Sequence, residues 1–410
     1  MKWRLGVGVV GLAWSLTTVA AYLPPLLHRY TSSQTVIGAI LAAEGIVALG
    51  VPLVVGSLSD RTETRFGSRR PYLIAATPVM VGALAVVAFA GSLAATAAVL
   101  AVFYVAYYVY ETPYRSMYPD RIRDRELGRA MGAQHLLRGG ALGLALVLGG
   151  LLLQLYRPLP FVLAAAIVLA GSAGIVELTE PKPAEAKGDR LAAFRIVRDD
   201  KDVRTFLIAN TAWETTFAGM RTFVVLYVIH GLNQPLYVSS VILGAVAAGY
   251  IVAALTVGKL ADRIGLAHVI LIASAVYGGG LVLGAFPRHW HWFYLALVFV
   301  VAIAAGAVMT LAWGLLYKLM PDEDEGAIAG LATLTKGIGI VVGPLVTGVA
   351  IDLLKGVFQT THGYAAMWPV LAIPILAAMP LLGPLRKAES RSARRSAGNG
   401  RSRDPAHDSA

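Results

Sequence analysis

The 410-residue chain has no cysteine, so disulfides, thiol catalysis and cysteine metal sites are excluded. Charge is scarce as well: Asp, Glu, Lys and Arg make up 14% of residues, against about 25% in a typical soluble protein. Acids are the scarcer sign, 24 against 35 Lys and Arg, which leaves a formal charge of +11. No G-x-x-x-x-G-K-[ST] loop is present, so ATP hydrolysis is not the energy source, and no Ser, His and Asp grouping argues for a membrane enzyme. What fills the space is apolar: 57% of residues are hydrophobic and the mean hydropathy is +0.66. A soluble globular chain does not have this composition.

A helix needs about 20 apolar residues to span a bilayer, so twelve spans use roughly 240 residues. Twelve apolar runs can be read between residues 5 and 383. The first, after Met1-Lys2-Trp3-Arg4, is too long for a signal-peptide core and lacks an A-x-A site, so it reads as an uncleaved first helix. With the N-terminus inside, 27 of the 35 Lys and Arg fall on the inner side and four (Arg29, Arg157, Arg288, Lys355) on the outer. The positive-inside rule therefore places both termini in the cytoplasm of a multi-pass protein of the cell (plasma or inner) membrane. The basic excess becomes a record of topology, and no nucleic-acid partner is expected.

The runs form two sets of six, an all-α integral membrane architecture of two pseudo-symmetric bundles: residues 1–178 and 203–385. A polar cytoplasmic linker, 179–202, joins them, with Leu191, Phe194 and Val197 at the spacing of a short interfacial helix. Beyond residue 385 the tail 386–410 is rich in Arg, Ser and Gly and is expected to be a disordered basic tail. Gly56-Ser57-Leu58-Ser59-Asp60-Arg61 closes segment 2 and Gly258-Lys259-Leu260-Ala261-Asp262-Arg263 closes segment 8, an offset of 202 residues. Pro119-Asp120 and Pro321-Asp322 repeat at the same offset; Gly128-x-x-x-Gly132 with Arg138-Gly139 matches Gly326-x-x-x-Gly330 with Lys336-Gly337. Glycine lets helices approach closely, and an Asp at the inner mouth can bond the N-terminal amides or an Arg of an adjoining helix. Gly56, Asp60, Arg61, Asp120, Gly258, Asp262 and Arg263 are accordingly read as gating residues.

The duplicated G-x-L-x-D-R loop resembles the signature of major facilitator carriers, which implies two six-helix bundles with a site near the bilayer midplane between them. The longer run from Gly56 through Arg65-Phe66-Gly67 to Arg69-Arg70-Pro71 is similar to the corresponding loop of glycoside-pentoside-hexuronide:cation symporters, which include the melibiose carriers, and of plant-type proton/sucrose symporters. Glu111-Thr112-Pro113-Tyr114-Arg115-Ser116-Met117-Tyr118-Pro119 resembles the acidic-x-P-(x)5-P stretch of the melibiose group, and the resemblance implies that Glu111 contributes to the coupling-cation site. One departure stands out: the two helix-2 carboxylates of melibiose carriers correspond to Ala48 and Pro52 here. Glu44 lies one turn further from the loop, and a single carboxylate suits a proton better than sodium.

Ionisable groups at helix centres cost about 2.5 to 3.5 kcal/mol each, so they face water or one another. Six fit: Glu44, Glu111 and Glu214 as proton-coupling candidates, and Arg138, Arg221 and Lys336 as substrate ligands. Arg138 and Lys336 each lie about ten residues, or about 15 Å, from the inner end of their helices, at matching depths in the two halves. Tyr104, Tyr108, Glu111 and Arg115 share one face of segment 4, with Glu111 and Arg115 spaced for an i,i+4 pair. Trp14, Asn210, Trp213 and Trp313 complete the substrate set, since aromatic plates beside polar groups suit sugar rings. His135 can relay protons or simply pack, and His289 and His291 are too few for a metal site. No cofactor is expected. The resulting expectation is a monomeric secondary transporter, not an enzyme, that takes up a sugar or glycoside with a proton by alternating access. A proton-driven exporter of drugs or metabolites, and an organic-anion carrier using Arg138 and Lys336, stay open.

Overall fold

The computed structural model describes residues 2–121, 124–176, 198–287, 289–319 and 325–401. The first half holds α1 (Lys2–Leu27), α2 (Gln34–Arg61), α3 (Arg70–Val87), α4 (Leu93–Arg121), α5 (Asp124–Leu155) and α6 (Leu159–Val176). The second holds α7 (Lys201–Leu226), α8 (Leu236–Ile264), α9 (Leu266–Leu283), α10 (Tyr294–Leu319), α11 (Glu325–Leu353) and α12 (Met367–Ala377), followed by α13 (Leu382–Arg401). No strand occurs among the described residues. Helices alone satisfy every backbone polar group within the segment, which a hydrocarbon environment demands. Ten helical stretches are long and apolar enough to cross a membrane. α6 is shorter, and α7 carries Asn210, Glu214, Arg221 and several threonines; its core sits inside the protein, with Asn210, Glu214, Thr215, Thr216 and Thr222 all buried.

Packing follows the repeat. Within the halves, α3 packs on α4 as α9 does on α10, α2 on α4 as α8 on α10, and α1 on α5 as α7 on α11. Between the halves the main contacts are α2 with α11, α5 with α8, and α1 with α7. Exchanging the halves turns the first of these into the second and the third into itself, as a twofold relation requires.

The α2–α11 seam is made of backbone. A methyl group on Gly45 would lie 2.6 Å from the Gly337 carbonyl oxygen, and one on Gly38 or Gly348 would run into Pro344 or Gln34. Tyr22 of α1 donates to the Leu146 carbonyl of α5, and a methyl group on Gly149 would strike its ring. The Gly38, Gly348 and Tyr22 contacts lie toward the end of the bundle opposite the chain termini, called the far end below, and the Gly45 contact lies near mid-helix. Gly56 and Gly258, read from the motif as close-approach glycines, are not used that way: a methyl group on Gly56 would meet only Thr112, at 3.7 Å, and one on Gly258 nothing within 4 Å.

Two sequence expectations change. The twelfth segment is broken: a 3-10 turn at Met379–Leu381 separates α12 from α13, because Pro380 has no amide hydrogen to continue the ladder. The tail expected to be disordered from residue 386 continues as α13 to Arg401. Its start is anchored because buried Glu389 accepts from the Leu266 and Ala267 amides at 2.9 and 3.0 Å and pairs with Lys318, while Arg391 pairs with Asp202 at 2.7 Å. Four side chains thus supply partners that composition alone does not reveal. The interfacial helix read at Leu191 to Val197 lies outside the described residues, as does the rest of 179–197.

Candidate functional site

The site is built on α2, α4, α5, α7 and α11. Glu44 on α2 is buried, and its Oε2 accepts from an Arg221 guanidinium nitrogen of α7 at 2.8 Å. This ion pair joins the halves. Its remaining valences are unmet: Glu44 Oε1 and Arg221 Nε are buried with no hydrogen-bond partner, as is the Tyr104 hydroxyl, which feels both charges. Breaking a buried pair leaves an uncompensated charge, so Glu44 and Arg221 hold α2 and α7 together more firmly than a surface pair does.

A second pair lies within the first half. Glu111 Oε1 is 2.7 Å from Arg115, the expected i,i+4 partner, and 3.6 Å from Arg138 of α5. The α4 face carries the two clusters on one helix: Tyr108 interacts with Glu44, Glu111 and Arg221, whereas Tyr107 interacts chiefly with Glu111 and the two arginines beside it. Tyr107 is absent from the sequence reading, although it precedes Glu111 by four residues just as Arg115 follows it by four. Its hydroxyl, like that of Tyr104, is buried without a partner.

Lys336 of α11 lies near the second cluster. It interacts electrostatically with Glu111, Glu214, Arg138 and Arg115. Among the described residues neither Lys336 nor Glu214 has a hydrogen bond or an ion pair. Glu214 is buried on α7 where α11 comes close, a methyl group on Gly339 falling 2.5 Å from the Glu214 Cβ.

Other residues assigned to the substrate take different places. Asn210 Nδ2 donates to Thr335 Oγ1 at 2.7 Å and so fastens α7 to α11. Trp213 is fully buried edge-on to Phe206, with its Nε1 unpartnered, and Trp14 is buried in the first half. Trp313 is partly exposed, its ring contact being with Tyr317. Of the gating set, Asp60 is bonded by Arg69, which also donates to Ser59 at 2.7 Å; the partner is the residue preceding α3 rather than the adjacent Arg61. Arg61, Asp262 and Arg263 are exposed. The amide-capping role foreseen for the motif Asp is filled in the second half by Glu389. The side chains of Asp120 and His135 lie outside those described.

Two internally repeated helical halves are thus joined by a buried ion pair, with further buried charge beside it that has no ion pair among the described residues. The family model of the Major Facilitator Superfamily matches residues 5–344. This chain belongs to the major facilitator superfamily. As a member, it is a membrane transporter rather than an enzyme. A search of curated proteins finds no match. Among solved structures, a single-substitution mutant of the nucleoside transporter NupG aligns with a TM-score of 0.80 at 14% identity, covering 94% of this chain and 99% of that one. A bacterial homologue of the human lysosomal transporter Spinster, in an inward-facing and unoccupied conformation, aligns with a TM-score of 0.72 at 13% identity and covers 96% of both chains. These likenesses establish the major facilitator fold. They do not single out melibiose or sucrose symporters, the subgroup suggested by the loop and the helix-4 stretch.

Proposed function

We propose that this major facilitator protein takes up a sugar or glycoside together with a proton by alternating access, residues 1–178 and 203–385 moving against each other about the linker 179–202. With both termini cytoplasmic, as the basic residues indicate, the far end faces the outside. The halves meet there, at the α2–α11 seam, which corresponds to an inward-facing state.

The observation that carries the reading is the Glu44–Arg221 pair. Because it joins the halves, protonating Glu44 deletes the charge that holds them together, which couples proton binding to reorientation. The atoms left unmet around it suit a polyol. A vicinal diol donates to Glu44 Oε1 while accepting from Arg221 Nε, and the Tyr104 hydroxyl can do either. Glu111, held between Arg115 and Arg138, is the second titrating carboxylate, with Glu214 the third.

Uptake of labelled disaccharides and of a nucleoside, itself an N-glycoside, into proteoliposomes tests this. An inward proton gradient should drive accumulation, and Glu44→Gln or Glu111→Gln should abolish accumulation while sparing exchange of solute across the membrane. Uptake indifferent to the gradient overturns the coupling; no uptake of any glycoside overturns the substrate class. One observation favours a second reading, an organic-anion carrier: among the described residues Lys336 has no ion-pair partner, which leaves it available to an acid. There, Lys336→Gln should abolish binding of carboxylic acids and leave neutral sugars unaffected.

A further inference from the structure

The far end contains ionisable groups that the central site does not use. α2 begins there, and Asp352, near the end of α11, reaches it from the opposite half. Asp352 Oδ2 accepts from Ser33 Oγ, Thr35 N and Thr35 Oγ1, each at 2.8 Å, and Oδ1 accepts from Gln34 N at 3.1 Å. Lys355, one turn further on, lies 3.2 Å from Oδ1. A helix N-terminus presents unpaired amides and partial positive charge, so a carboxylate seated on it is a strong cap. Here the cap comes from the other half of the molecule.

Next to this clasp a second contact crosses the halves. His28, immediately beyond α1, stacks on His230, in the π turn Tyr227–Gly231 that follows α7, with centroids 4.1 Å apart and ring planes 20° from parallel. Lys355 acts on His28, and His362 acts on His230. Tyr364 also stacks on His230, with centroids 6.2 Å apart. The charged or chargeable neighbours are therefore an ammonium and a third imidazole, with the carboxylate of Asp352 already engaged by α2 and Lys355. Two neutral imidazoles stack favourably, while two imidazolium rings at this distance, beside Lys355, repel.

We propose that this seam is an acid-released latch, in which Asp352 closes the far end by capping α2 from the opposite half and protonation of the His28–His230 stack opens it. The latch acts on the gate and not on the solute site, so it is independent of what the transporter carries.

The sign follows from the closed state's preference for neutral rings. Burial pushes His28 below its ordinary value, with Lys355 adding to the effect, and pushes His230 down to about 4, with His28 and His362 adding. An opened seam exposes these rings to water, where they take up protons near pH 6.5, so protons favour the open seam. The closed seam is at full strength above that value and is lost progressively as pH falls towards 4. For His230 alone the open-to-closed ratio rises about tenfold between pH 7.5 and 5.5.

The absence of native cysteine makes the test direct. Spin labels on Arg157→Cys and Thr360→Cys, exposed positions in far-end loops of the two halves, report their separation in lipid nanodiscs without any solute. The longer-distance population, relative to the shorter, should grow about tenfold from pH 7.5 to 5.5. His28→Gln combined with His230→Gln should remove that response, and Asp352→Asn should enlarge the longer-distance population at both pH values. Distances unchanged by pH, or a response that survives the double histidine substitution, overturn the proton release. Distances unchanged by Asp352→Asn overturn the clasp. Should Asp352→Asn fail to elute as a single species, Ser33→Ala with Thr35→Ala removes the same side-chain donors from the other side and must widen the seam likewise. Because no solute is involved, failure here is distinct from failure of glycoside uptake.

Discussion

At the scale of single residues, the structure separates charges that hold the fold together from charges left available. Glu44 and Arg221 belong to the first group. Replacing either by Ala strands the other in a buried setting and should cost about 3 to 5 kcal/mol, whereas removing both should cost less than the sum. Denaturant titration in detergent of the two single variants and the double variant measures this; additive losses would show that the two side chains do not interact. Lys336 belongs to the second group, acting on Glu111 and Glu214 with no ion pair to either among the described residues. Charge inside apolar helices is conspicuous in a sequence, so all six central residues were legible there, and the i,i+4 rule supplied the Glu111–Arg115 pair. Which acid meets which base was not, because Glu44 and Arg221 are 177 residues apart and their meeting depends on the docking of the halves.

At the scale of elements, caps and glycines decide where helices begin and how near they come. α9 starts with its Leu266 and Ala267 amides on Glu389, so Glu389→Ala should destabilise the second half by about 1 kcal/mol, the usual worth of a cap. Thermal unfolding of the purified variant checks it, and Glu389→Gln, which keeps one acceptor, should recover part of the loss. Gly45→Val should be more damaging, since even a first carbon lands 2.6 Å from both the Gly337 carbonyl and a Val341 methyl, and α2 cannot yield without leaving α11. Helix existence was readable because apolar runs of membrane length have few other outcomes. The break before α13 was signalled by Pro380 but masked by the unbroken hydropathy around it. Asp352 and Glu389 were not readable as caps: one looks like an ordinary helix-end acid, the other like part of a polar tail, and both act on helices more than a hundred residues away.

At the scale of the whole molecule, the repeat told most in advance, since duplicated loops at fixed offsets require duplicated bundles. It said nothing about which end is closed. The seam runs through Gly38, Gly45 and Gly348, whereas the motif glycine Gly258 has nothing within 4 Å of a would-be methyl group and Gly56 only Thr112 at an ordinary 3.7 Å. Small residues where nothing crowds them make sense if the opposite conformation brings helices together there. Gly56→Leu and Gly258→Leu should accordingly fold normally, with unfolding temperatures near that of the parent, yet transport at a small fraction of its rate. Spin-label distances across the termini end should then fail to shorten under any condition; full transport by either variant would show that the motif glycines never close on a neighbour.

The position of Glu389 also bears on how the protein is made. Glu389 emerges from the ribosome 123 residues after Leu266, whose amide it receives. Until then the first turn of α9 has to find other partners, so the second bundle is completed only once Glu389 has been made. A chain cut short ahead of Glu389 would carry all six central charges and still present an unfinished helix end to the quality-control machinery of the membrane.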